Sequence, residues 1–177
     1  MKKTLLITTL LFFSITMVNA QDIKDLYLSY MTTRMSEGEN TKTIATAHEL
    51  LNRSSELNDK QIANVNFHLA RIYASTGVLE KAINHYEASL KLAPDYYVTH
   101  HALGFLHLKK CEILGQAVSA SAKAKDAALN EKAFQAYKRE ANKTILYFEK
   151  SQACDPDETT MDILKRFYKS IRDTTAL

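Results

Sequence analysis

Apolar side chains recur along most of this chain at steps of three and four, the spacing that gathers them on one face of an α-helix. The clearest stretch is 63–95. Leu69, Ala70 and Tyr73 share a stripe, Gly77 then interrupts it, and a second stripe of Ala82, Ile83, Tyr86, Ser89 and Leu90 runs on to Pro94. Glycine tolerates the left-handed backbone of a tight turn, and proline cannot continue a helix. The pattern predicts two helices joined by a short turn, with Ala70 and Ala82 small enough to let them approach closely. Two such helices leave apolar surface uncovered, so neighbouring copies are expected to stack beside them.

The flanks read as degenerate copies. Residues 22–55 predict a helix over 23–35, using Leu26, Tyr27, Tyr30 and Met31, a break at Gly38, and a helix over 41–53 using Ile44, Ala47, Leu50 and Leu51. Residues 54–59 (SSELND) form a linker rich in helix-capping side chains. After Pro94, Leu103, Gly104 and His107 repeat the positions of Leu69, Ala70 and Tyr73, but no glycine turn follows on schedule. The matching second helix comes late, as Thr144, Ile145, Phe148 and Ser151, stopped by Asp155 and Pro156. The interval from Gly104 to Thr144 is 40 residues, against 12 from Ala70 to Ala82. The extra residues are Ala-rich and almost free of helix breakers, a composition that lengthens helices. Shared evenly, they add about 14 residues, or roughly 21 Å, to each helix. Leu114, Ala117, Val118 and Ser121 continue the outgoing stripe, and Phe134, Tyr137, Ala141 and Thr144 the returning one. A projecting hairpin with its tip near 124–130 is the expectation; a partly disordered insertion is the alternative. Residues 158–173 predict one amphipathic helix, with Met161, Leu164, Tyr168 and Ile171 on a face and Phe167 beside it, followed by a frayed tail.

Leu69-Ala70-x2-Tyr73, Gly77, Ala82-x3-Tyr86 and Pro94 together resemble the tetratricopeptide repeat (TPR) pattern. Asn66 stands where that family usually has Trp or another large residue, and Ser89 where it usually has Ala. The resemblance implies an all-α, TPR-like α-solenoid of about three helix pairs (22–55, 61–96 and 97–156), the third elongated, plus a capping helix over 158–173. It also implies a non-enzymatic scaffold that binds a peptide or helix of a partner protein. In such proteins the first helix of each repeat lines a concave groove. Mapped onto this chain, that groove takes Asn64, Phe67 and Arg71 from the central repeat, Val98, His101, Phe105 and Lys109 from the next, and Tyr96 at their junction. Phe67 and Phe105 fall off the core stripes, so they either line the groove or are covered by other helices. A second reading gives the function to the Ala-rich hairpin, as a surface for homo-oligomer formation.

Composition changes this picture little. The chain has 23 Lys and Arg against 20 Asp and Glu. Lys2 and Lys3 open a segment that reads as a secretory signal peptide over 1–20: a charged start, an apolar run from Leu5 to Val18, and Val18-Asn19-Ala20 before a cleavage point. A retained membrane anchor is the alternative, though the apolar run is short for one. Cleavage after Ala20 leaves one domain over 21–177, exported to the periplasm or secreted, near neutral in charge and without a nucleic-acid footprint. No later segment predicts stable membrane insertion of the mature chain.

Candidate chemistry is sparse. His48-Glu49 begins a zinc-protease pattern, but Asn52 stands where the second His is required. His107 and Cys111 are one helical turn apart, with no carboxylate evident beside them, and read as a packed imidazole next to a buried thiol. Cys111 and Cys154 are the only cysteines. The hairpin geometry separates them beyond disulfide reach. The Asn52 and Asn142 sequons matter only on a eukaryotic secretory route. With four glycines in the chain, a phosphate cradle is not expected. No cofactor, metal or catalytic residue is assigned.

Overall fold

The computed structural model describes residues 22–34 and 40–172. Among these the fold is all-α and TPR-like, with seven helices, one 3-10 turn and no strand. The signal-peptide reading, Met35, Gly38, Asp173 and the tail lie outside the described residues. Two compact units divide after Leu57.

The first unit holds α1 (Ile23–Thr33) and α2 (Asn40–Asn52), close to the expected bounds. The Asp22 side chain caps α1 by accepting from the Lys24 amide at 2.8 Å. Leu26 and Tyr30 are the buried residues of α1, and Thr43, Ala47 and Leu50 those of α2. Leu26, Tyr30, Ala47 and Leu50 belong to the stripes that the sequence showed, whereas Thr43 is buried and Tyr27, Met31, Ile44 and Leu51 are only half-buried. The 3-10 turn Ser54–Glu56 carries a two-pronged ion pair, Arg53 Nε to Glu56 Oε1 at 2.8 Å and Arg53 Nη2 to Glu56 Oε2 at 2.9 Å. The guanidinium holds the Glu56 carboxyl below its usual range.

The second unit holds α3 (Asp59–Ser75), α4 (Leu79–Leu92), α5 (Tyr97–Lys123), α6 (Ala127–Cys154) and α7 (Glu158–Arg172). A reciprocal capping box starts α3: the Gln61 amide donates to Asn58 Oδ1, and the Asn58 amide to Gln61 Oε1, each at 3.0 Å. Gly77, at φ +78°, ends it. The Val78 amide reaches back to Tyr73 O at 2.8 Å and the Gly77 amide to Ala74 O at 3.2 Å, the paired bonds of a Schellman turn.

The same turn closes the long hairpin, displaced to its tip. Asp126 N reaches Ser121 O at 3.3 Å and Lys125 N reaches Ala122 O at 3.1 Å, with Lys125 at φ +57° in the place of the glycine. Asp126 then caps α6 by accepting from the Leu129 amide at 2.9 Å. Asn130 ties the two helices of the hairpin together, donating to Val118 O at 3.0 Å and Ser121 Oγ at 3.1 Å. The expansion is thus helical throughout, and the tip is the three residues 124–126.

Both hairpins bury homologous positions. Leu69, Ala70, Ala82 and Ser89 are fully enclosed, and so are Leu103, Thr144 and Phe148 in the long pair. Gly104 matters here. A Cβ built on it would lie 2.5 Å from the Phe148 ring, so only the missing methyl lets α5 and α6 close at this level. One apolar cluster joins Phe67, Ala70, Ile83, Tyr86 and Leu103 across the two repeats. A second joins Cys111, Ala141, Ile145 and Phe148 to Ile163, Leu164 and Phe167 of α7.

Helix α7 differs in detail from expectation. Thr160, Ile163, Leu164 and Phe167 are its buried side chains, while Met161 is 40% exposed. Leu164 and Phe167 are buried and Tyr168 and Ile171 pack against the same cluster, as expected; Ile163 joins them in place of Met161. Asp157 caps α7, accepting from the Thr160 amide at 2.7 Å, and this bond holds its carboxyl below the usual range.

Candidate functional site

Two surfaces of the second unit carry the candidate chemistry: the outer stripe of α5, and a polar core between α5 and α6. The expected partner-binding residues of α5 lie along the stripe. A helix repeats its face every three to four residues, and Val98, His101, Phe105, Leu108 and Glu112 follow that step. Val98 is 36% and Phe105 41% exposed, large apolar side chains left in water. His101 stands edge-on to Phe105 at 4.9 Å between ring centres, and Phe105 edge-on to the buried Phe148 at 5.1 Å. Edge-to-face packing of this kind fixes ring orientation, so Phe105 is held rather than free to fold away. Lys109 is exposed on the next turn.

The α3 side corrects the expectation. Phe67 is only 6% exposed and belongs to the apolar cluster with Tyr86 and Leu103. Helix α3 buries residues on more than one stripe, because two neighbouring helices cover it. Phe67 instead backs the surface: its ring lies 5.0 Å from that of Tyr96, which is itself 39% exposed. Arg71 is exposed, one turn beyond Phe67, and Asn64 is half-buried. Of the residues expected at the site, the structure brings together Phe67 with Tyr96 and His101 with Phe105.

Sequence reasoning missed the α7 wall. Leu108 and Glu112 of α5, Tyr137 of α6, and Ile163, Arg166 and Phe167 of α7 line a cleft of about 330 Å³. Tyr137 Oη and Ser170 Oγ, 3.0 Å apart, hydrogen-bond across it. The cleft has an apolar floor, with Glu112 and Arg166 as its charged groups. Reading α7 purely as a cap hid it; the signal was Arg166, a cation next to the core residue Phe167.

The polar core lies behind the stripe. His107 is 1% exposed, and its Nδ1 lies 2.6 Å from Glu140 Oε1. Lys110 Nζ sits 3.8 Å from the same oxygen and 3.1 Å from Glu80 Oε1. The carboxylate that the sequence did not reveal beside His107 is therefore Glu140, contributed by the returning helix. The imidazole also stacks on Tyr147, with ring centres 5.2 Å apart. Cys111 Sγ lies 3.4 Å from Thr144 Oγ1.

An imidazole oriented by a carboxylate resembles part of a nucleophilic triad, but the thiol nearby is not activated. Burial pushes the Cys111 thiol up to about 11, so at neutral pH it stays protonated and a poor nucleophile. Among the described residues, no three His, Cys, Asp or Glu side chains gather as metal ligands. Cys111 is buried and Cys154 exposed, and both are free thiols, as the hairpin geometry requires. No described helix is long and apolar enough to cross a membrane.

Residues 70–110 match the family model of the TPR repeat. The match runs from the second half of α3 through α4 into α5, and ends at Lys110, before the hairpin expansion. No curated protein matches the chain.

Proposed function

We propose that this TPR-repeat protein is a non-enzymatic scaffold that holds a peptide or helix of a partner protein along the outer stripe of α5. TPR repeats generally mediate protein–protein interaction, which supports a protein partner. The observation that carries the finer reading is the exposed, edge-packed Phe105, flanked by Val98, His101 and Lys109 and continued by Tyr96 and Arg71. Exposed aromatics held rigidly beside a cation have the chemistry of an interface anchor. The Leu108–Phe167 cleft extends the same face and offers a pocket for an apolar side chain.

Replacing Phe105 and Arg71 together by Ala tests this. Both side chains are exposed, so melting and helicity should hold while recovery of the partner falls at least tenfold. Unchanged recovery removes the reading. Phe67→Ala is unsuitable, since that ring belongs to the core.

Export to the cell envelope completes the proposal. It rests on the charged start, apolar run and Ala20 of residues 1–20. Protein recovered from the periplasm or medium should begin at Gln21. An N-terminus at Met1 in a membrane fraction would mean a retained anchor instead.

A second reading is favoured by one observation: the outer half of the long hairpin exposes Ile113 at 57% and Leu129 at 51%. On this reading two copies pack hairpin to hairpin. Sedimentation of the whole chain and of a form lacking residues 114–140 decides it. A monomer in both removes self-association.

A further inference from the structure

A separate cleft of about 340 Å³ lies between the last turns of α4 and the second half of α6. Leu90 and Lys91 come from α4, Leu146 and Lys150 from α6, and Pro94 and His100 close the inner end. Three observations set it apart from ordinary surface. Its walls are apolar, and Leu146 is 50% exposed with nothing covering it. Lys91 and Lys150 both border it, and neither has an ion-pair partner among the described residues. The third is His100, only 5% exposed. Its Nε2 donates to Pro94 O at 2.7 Å, which leaves Nδ1 as a buried acceptor with no partner.

The charges select the ligand. Two ammonium groups face one carboxylate, Glu87, which already accepts a hydrogen bond from Tyr147 at 3.4 Å. The surplus is one positive charge beside an apolar trough, which suits a single anionic head on an apolar tail. Ammonium–carboxylate hydrogen bonds are among the stronger ones, the more so beside low-dielectric walls. An unpartnered buried acceptor is costly and gains from any donor brought to it. A carboxylate head arrives hydrated, and a water it carries supplies that donor.

We propose that this cleft binds a medium-chain monocarboxylate, its head between Lys91 and Lys150 at the His100 end and its tail along Leu90 and Leu146. The site is independent of the partner-binding stripe, and no residue is common to both.

Titration of the whole chain with octanoate, octanol and acetate, followed by amide chemical shifts, tests it. Octanoate should bind saturably with shifts centred on Leu90, His100 and Leu146. Octanol and acetate should each bind about tenfold more weakly or not at all, the loss expected for removing the charged head or the tail. The Lys91→Met, Lys150→Met double variant alters only exposed side chains and should weaken octanoate about tenfold, and Leu146→Gln should weaken it several-fold. Octanol binding as well as octanoate would mean a merely greasy surface. Acetate binding equally would mean a merely cationic one. Either result, shifts centred elsewhere, or an unaffected double variant overturns the proposal.

Discussion

The hairpin α3–α4 and the hairpin α5–α6 solve one packing problem with opposite choices of residue. In the short pair, Ala70 supplies the close approach beneath Tyr86, the turn has its glycine, and Tyr73 of the first helix stacks on His85 of the second at 5.6 Å. In the long pair, Gly104 supplies a still closer approach beneath Phe148, the turn has Lys125 in the glycine position, and His107 of the first helix stacks on Tyr147 of the second. The aromatic and the imidazole have exchanged helices while keeping the stack. A repeat therefore conserves its contacts as geometry rather than as residue identity. The difference also locates the buried charge. Moving the imidazole onto α5 puts it within reach of Glu140, one turn up a helix that the short pair does not extend.

The largest effect is expected at that charge. Replacing Glu140 by Ala removes the partner of a fully buried His107 and of Lys110, and should cost about 3 kcal/mol in denaturant unfolding. Making both positions apolar, as His107→Leu with Glu140→Leu, should recover most of that loss, because no polar group is then stranded. A double variant as unstable as Glu140→Ala would show that His107 and Glu140 are not coupled. Next comes Gly104→Ala, whose methyl collides with Phe148, and a destabilisation of about 2 kcal/mol is expected from overpacking. The mirror change, Ala70→Gly, meets no such conflict and should cost only about 1 kcal/mol through backbone freedom.

These two tests also mark what could be read in advance. Gly104 aligned with Ala70 from spacing alone, and the delayed Thr144, Ile145 and Phe148 were visible because helical periodicity survives an insertion of whole turns. Glu140 was not visible. It is a charged residue 33 positions from His107, and nothing local distinguishes it from solvent-facing glutamates. Phe67 falls off the Leu69 and Tyr73 stripe, which by itself leaves it either in the groove or under another helix; a helix covered on two sides buries a wider arc, and Phe67 lies within it. Ile163 was missed for a related reason, since the face of α7 is chosen by the α6 surface it meets. The hairpin tip lacks its glycine marker, so the sequence narrows it only to 124–130, and the structure puts it at 124–126 within that range.

Smaller effects sharpen the turn comparison. Lys125→Gly relieves a left-handed residue that carries a side chain and should stabilise the protein by about 1 kcal/mol in a thermal melt. Gly77→Ala imposes the converse strain on the short hairpin and should destabilise it by a similar amount. The cysteines give the smallest perturbation. Burial pushes the Cys111 thiol up to about 11 and closes it to reagent, so at pH 8 an alkylating reagent should label Cys154 alone, and Cys111 should react only as the chain unfolds. Equal labelling of both in the folded protein would contradict the packing of α5 on α6.

The capping carboxyl of α7 gives a pH test. Asp157 is held below its usual range when folded, so the stability it contributes is present above the ordinary aspartate range and is lost as pH falls through its folded value. The stability gap between the native chain and Asp157→Ala should therefore narrow on acidification. A gap that widens would contradict the cap.

The scaffold reading turns on which face of the long hairpin meets a partner. A photo-crosslinking residue placed in turn at Phe105, on the exposed α5 stripe, and at Leu146, exposed on α6, compares the two directly within one fold. Partner adducts formed through position 105, with few through position 146, are the result expected. Adducts through position 146 in equal or greater yield would contradict it.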